Sequence, residues 1–170
     1  MKDFYQLFIE ELKEIYSSEN QAIKALPEMI KAARSAKLKE LLKGHLEETK
    51  SQAKRLEKIA AELGEDFTHC KCDAMQGLLK EWEHVVKTHY QNDVQDAAII
   101  SFMQKVKHYE IASYGSLRTF AKHLNKNTIE QWLKQSIMEE GNADKKLTEI
   151  AEGSAFESGV NVKACKRSCA

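Results

Sequence analysis

The stretch from Lys37 to Leu63, KLKELLKGHLEETKSQAKRLEKIAAEL, decides the fold. Steps of three and four residues place Leu38, Leu41, His45, Glu48, Gln52, Leu56, Ile59 and Leu63 on one helical face. Both ends of that face are apolar, and its middle is His45, Glu48 and Gln52. A carboxylate in a core seam is costly unless something compensates its charge. The face therefore predicts matching groups at the same depth on other helices.

Upstream, the spacing predicts a helix from Asp3 to Ala33, with Phe4, Phe8, Leu12, Ile15, Glu19, Ala22, Leu26 and Ile30 inward. Asp3 is its expected N-cap, and Pro27 is expected to kink it. Downstream, Gly64 should close the central helix. EDFTHCKCDA then reads as a loop and MQGLLKEWEHVVKTHY as a shorter amphipathic helix. A third long helix is expected over 93–123, with the seam Ile99, Met103, Val106, Glu110, Ser113, Leu117 and Ala121. A fourth is expected over 128–153, with Ile129, Leu133, Ile137, Glu140, Asp144, Leu147 and Ala151. Residues 1–153 thus form one helical domain. Residues 154–170, SAFESGVNVKACKRSCA, are small, polar and basic without a lasting period, and read as a flexible tail containing Cys165 and Cys169.

The two halves can be superposed. IYSSENQAIKAL aligns with VKHYEIASYGSL, matching Glu19 to Glu110, and EETKSQ aligns with EEGNAD, matching Glu48 to Glu140 and Gln52 to Asp144. Each half is a helical hairpin with one acid on its first helix and an acid-led pair on its second. A long crossover joins the hairpins, which is the plan of an all-α four-helix bundle.

The totals agree with that plan. Seven glycines and one proline in 170 residues leave long helices uninterrupted. Twenty-six basic residues balance 26 acidic ones, so no nucleic-acid surface or attraction to an anionic membrane is expected. The start, MKDFYQLFIEELKEIY, is mixed in charge and does not read as a signal peptide, and no run is apolar enough to span a bilayer. A cytoplasmic setting is expected.

Glu19, Glu48, Glu110, Glu140 and Asp144 would converge in mid-bundle. Five carboxylates cannot all stay ionised in a dry core without cations. Two divalent ions would offset most of the charge, and hard oxygen donors suit iron, with manganese as the alternative. Gln52 is a candidate neutral ligand, and His45 a ligand or a donor to one. Tyr16, Tyr109 and Tyr114 lie within a turn of Glu19 or Glu110, where core packing or donation to a carboxylate would suit them. His108, Glu47 and Glu139 fall off the seams and are expected to be solvated or uninvolved. Cys70 and Cys72, with Cys165 and Cys169, offer a separate zinc or redox reading, with exposed reduced thiols as the default.

YSSENQAIKALPEM, GHLEETKSQAKRLE, CDAMQGL, KVKHYEIASYGSL and MEEGNADKKLTEIA together resemble the YciE/YciF group of ferritin-like proteins. The resemblance implies a ferritin-like bundle with a shorter helix in the crossover, a bacterial stress setting and a homodimer. It also implies terminal metal ligation by Glu19 and Glu110 and bridging by Glu48 and Glu140. The sequence departs from the Glu-x-x-His pattern of ferritin-like di-iron sites, because Ser51 and Ala143 stand three residues after Glu48 and Glu140. Three functions stay open. One is a dinuclear-metal stress protein with ferroxidase- or peroxidase-like chemistry on oxygen or peroxide. The second is a non-catalytic dimeric interaction or structural bundle whose polar core is weakly metallated or metal-free. The third is iron storage in a shell.

Overall fold

A computed structural model describes residues 3–88, 90, 92–155 and 157–168. Helix α1 spans Phe4–Ala32, α2 Ala36–Leu63, α3 Asp73–Thr88, α4 Asn92–His123 and α5 Asn127–Glu152. A two-residue hairpin, β1 (Gly153–Ser154) with β2 (Glu157–Ser158), leads to α6 at Val160–Ser168. The four long helices form the bundle: α1 packs on α2, α4 on α5, α1 on α4 and α2 on α5. Helix α3 crosses outside against α4 and α1.

The ends follow from local chemistry. Asp3 accepts from the Gln6 backbone while the Gln6 side chain accepts from the Asp3 backbone, a reciprocal cap. Pro27 lies inside α1, which runs on to Ala32. Gly64 sits at φ 68° and closes α2 in a left-handed conformation that suits glycine. Between α1 and α2, the Arg34 and Ser35 amides each donate at 2.7 Å to Asp96 of α4. One buried carboxylate thus ties the first hairpin to the second.

Residues 154–155 and 157–168 are not a free tail. Gly153 takes φ 84°, and a Cβ there would lie 2.3 Å from the Glu157 carbonyl oxygen. Gly159 approaches the end of α5 just as closely, its Cβ position 2.2 Å from the Glu152 carbonyl carbon. The two glycines fold the chain back, and Val160 and Ala164 become buried as α6 packs on α4 and α5. The period was too short to read: about two and a half turns supply two inward residues.

The core has two apolar parts. One gathers Leu26, Met29, Leu38, Leu42, Met75, Trp82, Ile99 and Met103; the other gathers Phe8, Leu12, Ile15, Leu56, Ile59, Tyr114, Leu117 and Leu133. A polar layer is buried among the same helices: Ser18, Glu19, His45, Thr49, Gln52, Lys107, Glu110, Ser136 and Glu140.

Candidate functional site

Each long helix contributes to this layer. Glu19 comes from α1, His45, Thr49 and Gln52 from α2, Lys107, Glu110 and Tyr114 from α4, and Glu140 from α5. Glu19, Lys107, Glu110 and Glu140 have no measurable exposure.

Lys107 is the centre. Its Nζ donates to Glu110 Oε2 and Glu140 Oε2 and lies 2.6 Å from His45 Nε2. Gln52 Nε2 donates to Glu140 Oε1 at 2.6 Å, so both oxygens of that carboxylate are held. Tyr114 donates its hydroxyl to Glu19 Oε1. Glu19 Oε2, Glu110 Oε1 and His45 Nδ1 find no hydrogen-bond partner among the described residues. His45 Nδ1 does face Glu48 Oε2 at 3.8 Å.

The protonation states follow from burial set against charge. Burial pushes Glu19 well above the ordinary carboxylate range, and Glu110 and Glu140 push it the same way. Burial raises Glu110 to about 8, against the pull of Lys107. Burial would also raise Glu140, but Lys107 and the Gln52 hydrogen bond hold it below the ordinary value. Burial disfavours the Lys107 cation, yet Glu110, Glu140 and Glu19 together raise its affinity for the proton. His45 is lowered by burial and by Lys107, so it is a neutral imidazole. At neutral pH the layer holds one ammonium, one carboxylate on Glu140, and two uncharged carboxyls. It is charge-neutral without any added ion.

The structure corrects several expected positions. Glu48 is half exposed, with 43% of its side chain accessible, and the inward position is Thr49. The reason is register. An offset of 91 residues carries the buried Leu38, Leu42, His45, Thr49, Gln52, Leu56 and Ala60 onto Ile129, Leu133, Ser136, Glu140, Ala143, Leu147 and Ala151. The same offset carries Glu19 onto Glu110. Pairing Glu48 with Glu140 needs 92, which turns it off the seam. Asp144 likewise lies beside the seam, its Oδ1 3.7 Å from His108 Nε2, while Ala143 is buried. Glu139 is only partly solvated: Arg55 engages both its oxygens and Gln52 donates to it. Tyr16 donates to Glu57, and the Tyr109 hydroxyl meets Cys72 Sγ at 3.0 Å, so only Tyr114 of the three tyrosines reaches a layer acid. Cys70 touches Glu14, Cys165 is exposed on α6, and Cys169 lies outside the described residues.

Lys107 was missed, although the signal was present. Met103, Lys107, Glu110, Tyr114 and Leu117 step by four, three, four and three, the spacing of an inward face.

Among the described residues, His45, Glu110 and Glu140 bring ligand atoms within 4.8 Å of one another, the separation a single ion could span. The Lys107 ammonium is bonded to the same three side chains. Glu48, the expected bridge, and Asp144 are turned aside. Two dications need more carboxylate than Glu19, Glu110 and Glu140 supply with an ammonium among them. The residues therefore do not fit a dinuclear centre.

A family model described as a domain of unknown function, DUF892, matches residues 3–160. The chain belongs to the DUF892 family. Within it, the chain is 40% identical over 152 residues to Protein YciF of Escherichia coli K12, covering 89% of this chain and 92% of that protein. The crystal structure of that E. coli stress protein superposes with a TM-score of 0.84 at 39% identity, over 88% of this chain and 94% of the other. YcfI of Rhodopseudomonas palustris, described provisionally as a structural protein, gives 0.85 at 37% identity, over 88% and 96%. A Xanthomonas campestris protein at 18% identity shares the fold, with a TM-score of 0.75. The DUF892 chain is thus an all-α ferritin-like bundle of the YciF type. No helix among its described residues is long and apolar enough to cross a membrane.

Proposed function

We propose that this chain is a non-catalytic stress-associated bundle, a structural or interaction module whose polar core is closed by Lys107 instead of by metal. The observation that supports the reading is the Lys107 ammonium, bonded to Glu110, Glu140 and His45 where an ion would be sought. That ammonium occupies the space between the very side chains a metal would need as ligands. The stress association comes from the E. coli relative, and a structural role agrees with the description of the Rhodopseudomonas one. Assembly as a homodimer belongs to the same reading and is checked by light scattering.

The test is metal content. Protein purified without added metal, and again after incubation with Fe(II) or Mn(II) and desalting, is measured by elemental mass spectrometry. Well under one ion per chain is expected in each sample, with no acceleration of Fe(II) oxidation by oxygen or peroxide. Two ions per chain, lost in a Glu110→Ala/Glu140→Ala variant, would restore the redox reading. One ion per chain would mean that a cation displaces Lys107.

A further inference from the structure

We propose that Lys107 and Glu140 become joined by an intramolecular amide bond, a covalent staple between α4 and α5. The inference rests on the reading that Lys107 and not metal closes the layer. Its basis is the set of groups around one amine and one carboxyl, all buried among the bundle helices.

The amine and the carboxyl that would be joined are in contact, since Lys107 Nζ touches Glu140 Oε2. Both side chains are sealed from solvent, at 0% and 1% exposure. A base is present: His45 Nε2 lies 2.6 Å from Nζ, with Glu48 on the far side of the ring at 3.8 Å. A donor is aimed at the oxygen where charge would develop, because Gln52 Nε2 lies 2.6 Å from Glu140 Oε1. An acid is at hand in Glu110, which binds the same Nζ and whose carboxyl is influenced by Glu140. Amine, carboxyl, base, oxyanion donor and acid are the parts an acyl transfer requires.

The step balances without any co-reactant. The Lys107 ammonium passes a proton to His45 Nε2, Glu110 gives its proton to Glu140 Oε2, and the freed lone pair attacks Glu140 Cδ. The Nζ–Cδ bond forms while Gln52 holds Oε1. The tetrahedral carbon expels Oε2, which already carries the proton from Glu110, takes a second from Nζ and leaves as water. His45 returns its proton to Glu110. In sum, one ammonium and one carboxylate give one amide and one water, with no electron transferred.

In water this condensation is opposed because both ions are well solvated. In the buried layer the ions have lost that solvation, and the amide removes two buried charges at once. The neutral amine is the minor form here, since the surrounding acids hold the proton on Lys107. A bond made once in the life of a chain tolerates a slow rate, and fixed geometry can supply an effective molarity of about 10⁵ M or more.

Intact mass decides the matter. Full-length protein, held at neutral pH and then denatured, is expected to weigh one water less than its sequence. Digestion should give a branched peptide joining the segments that carry Lys107 and Glu140. Lys107→Arg and Glu140→Ala should each weigh their full sequence mass. Glu140→Gln should lose ammonia instead of water and still yield the branched peptide. Wild-type protein at full sequence mass overturns the bond, and so does a water loss that maps to any other pair. Metal measured on the same sample separates the two ideas: full mass without metal removes only the bond, whereas bound metal also removes the reading beneath it.

Discussion

At the residue scale the protein turns on Lys107. A buried charge that loses its partner costs far more than a surface ion pair. Lys107→Met leaves a buried Glu140 carboxylate without its cation, and urea denaturation at pH 7 is expected to register a loss of about 3–5 kcal/mol. Glu48→Ala is the contrasting control. Its carboxylate is half in water and only faces His45, so the same measurement should give a loss of less than about 1 kcal/mol. A large effect from Glu48→Ala with a small one from Lys107→Met would mean that the charges are arranged differently from this description.

At the element scale, the hairpins are held together by more than apolar packing. Asp96 on α4 receives two backbone amides from the turn between α1 and α2 and is itself buried. Asp96→Ala orphans both donors and is expected to cost about 2–3 kcal/mol by urea or thermal denaturation. Amide exchange should speed up first at the α1–α2 turn. Helix α6 is the other adjunct, seated through Val160 and Ala164 on α4 and α5. Hairpin and helix together depend on glycine at 153 and 159, where any side chain would meet backbone.

At the scale of the whole molecule, the buried acids set the response to pH. Glu110 has its folded pKa raised from 4.5 to about 8, and Glu19 is raised as well, with burial the largest cause for both. A raised acid contributes its stability in full below 4.5 and loses it as pH rises towards 8. Before Lys107 and Glu140 are joined, His45 and Glu140 are lowered and act in the opposite sense, losing stability as pH falls below 6.5 and 4.5. Between pH 6.5 and 8 the raised acids dominate, so the melting temperature should fall across that window. Glu110→Gln should flatten the decline, because it keeps a neutral side chain of the same size. A melting temperature that rises from pH 6.5 to 8 would contradict the assignment of neutral carboxyls.

Much of this was legible along the chain. Five helices, the Gly64 stop, the Asp3 cap and the pairing of Glu19 with Glu110 follow from spacing and end residues, because helix periodicity and capping act over a few residues. The sequence by itself thus determined an all-α bundle of two hairpins with acids in its middle. It did not determine which of two neighbours faces inward. Glu48 and Thr49 differ by about 100° around the helix, and the choice rests on how α2 is rotated against α5. Nor did it determine what answers the acids. Lys107 stands at inward spacing, but a lysine is read as solvated by default, since its charge is seldom buried unless paired. Only the packing of four helices around it supplied Glu110, Glu140 and His45 as partners, and so decided that the compensating cation is part of the chain.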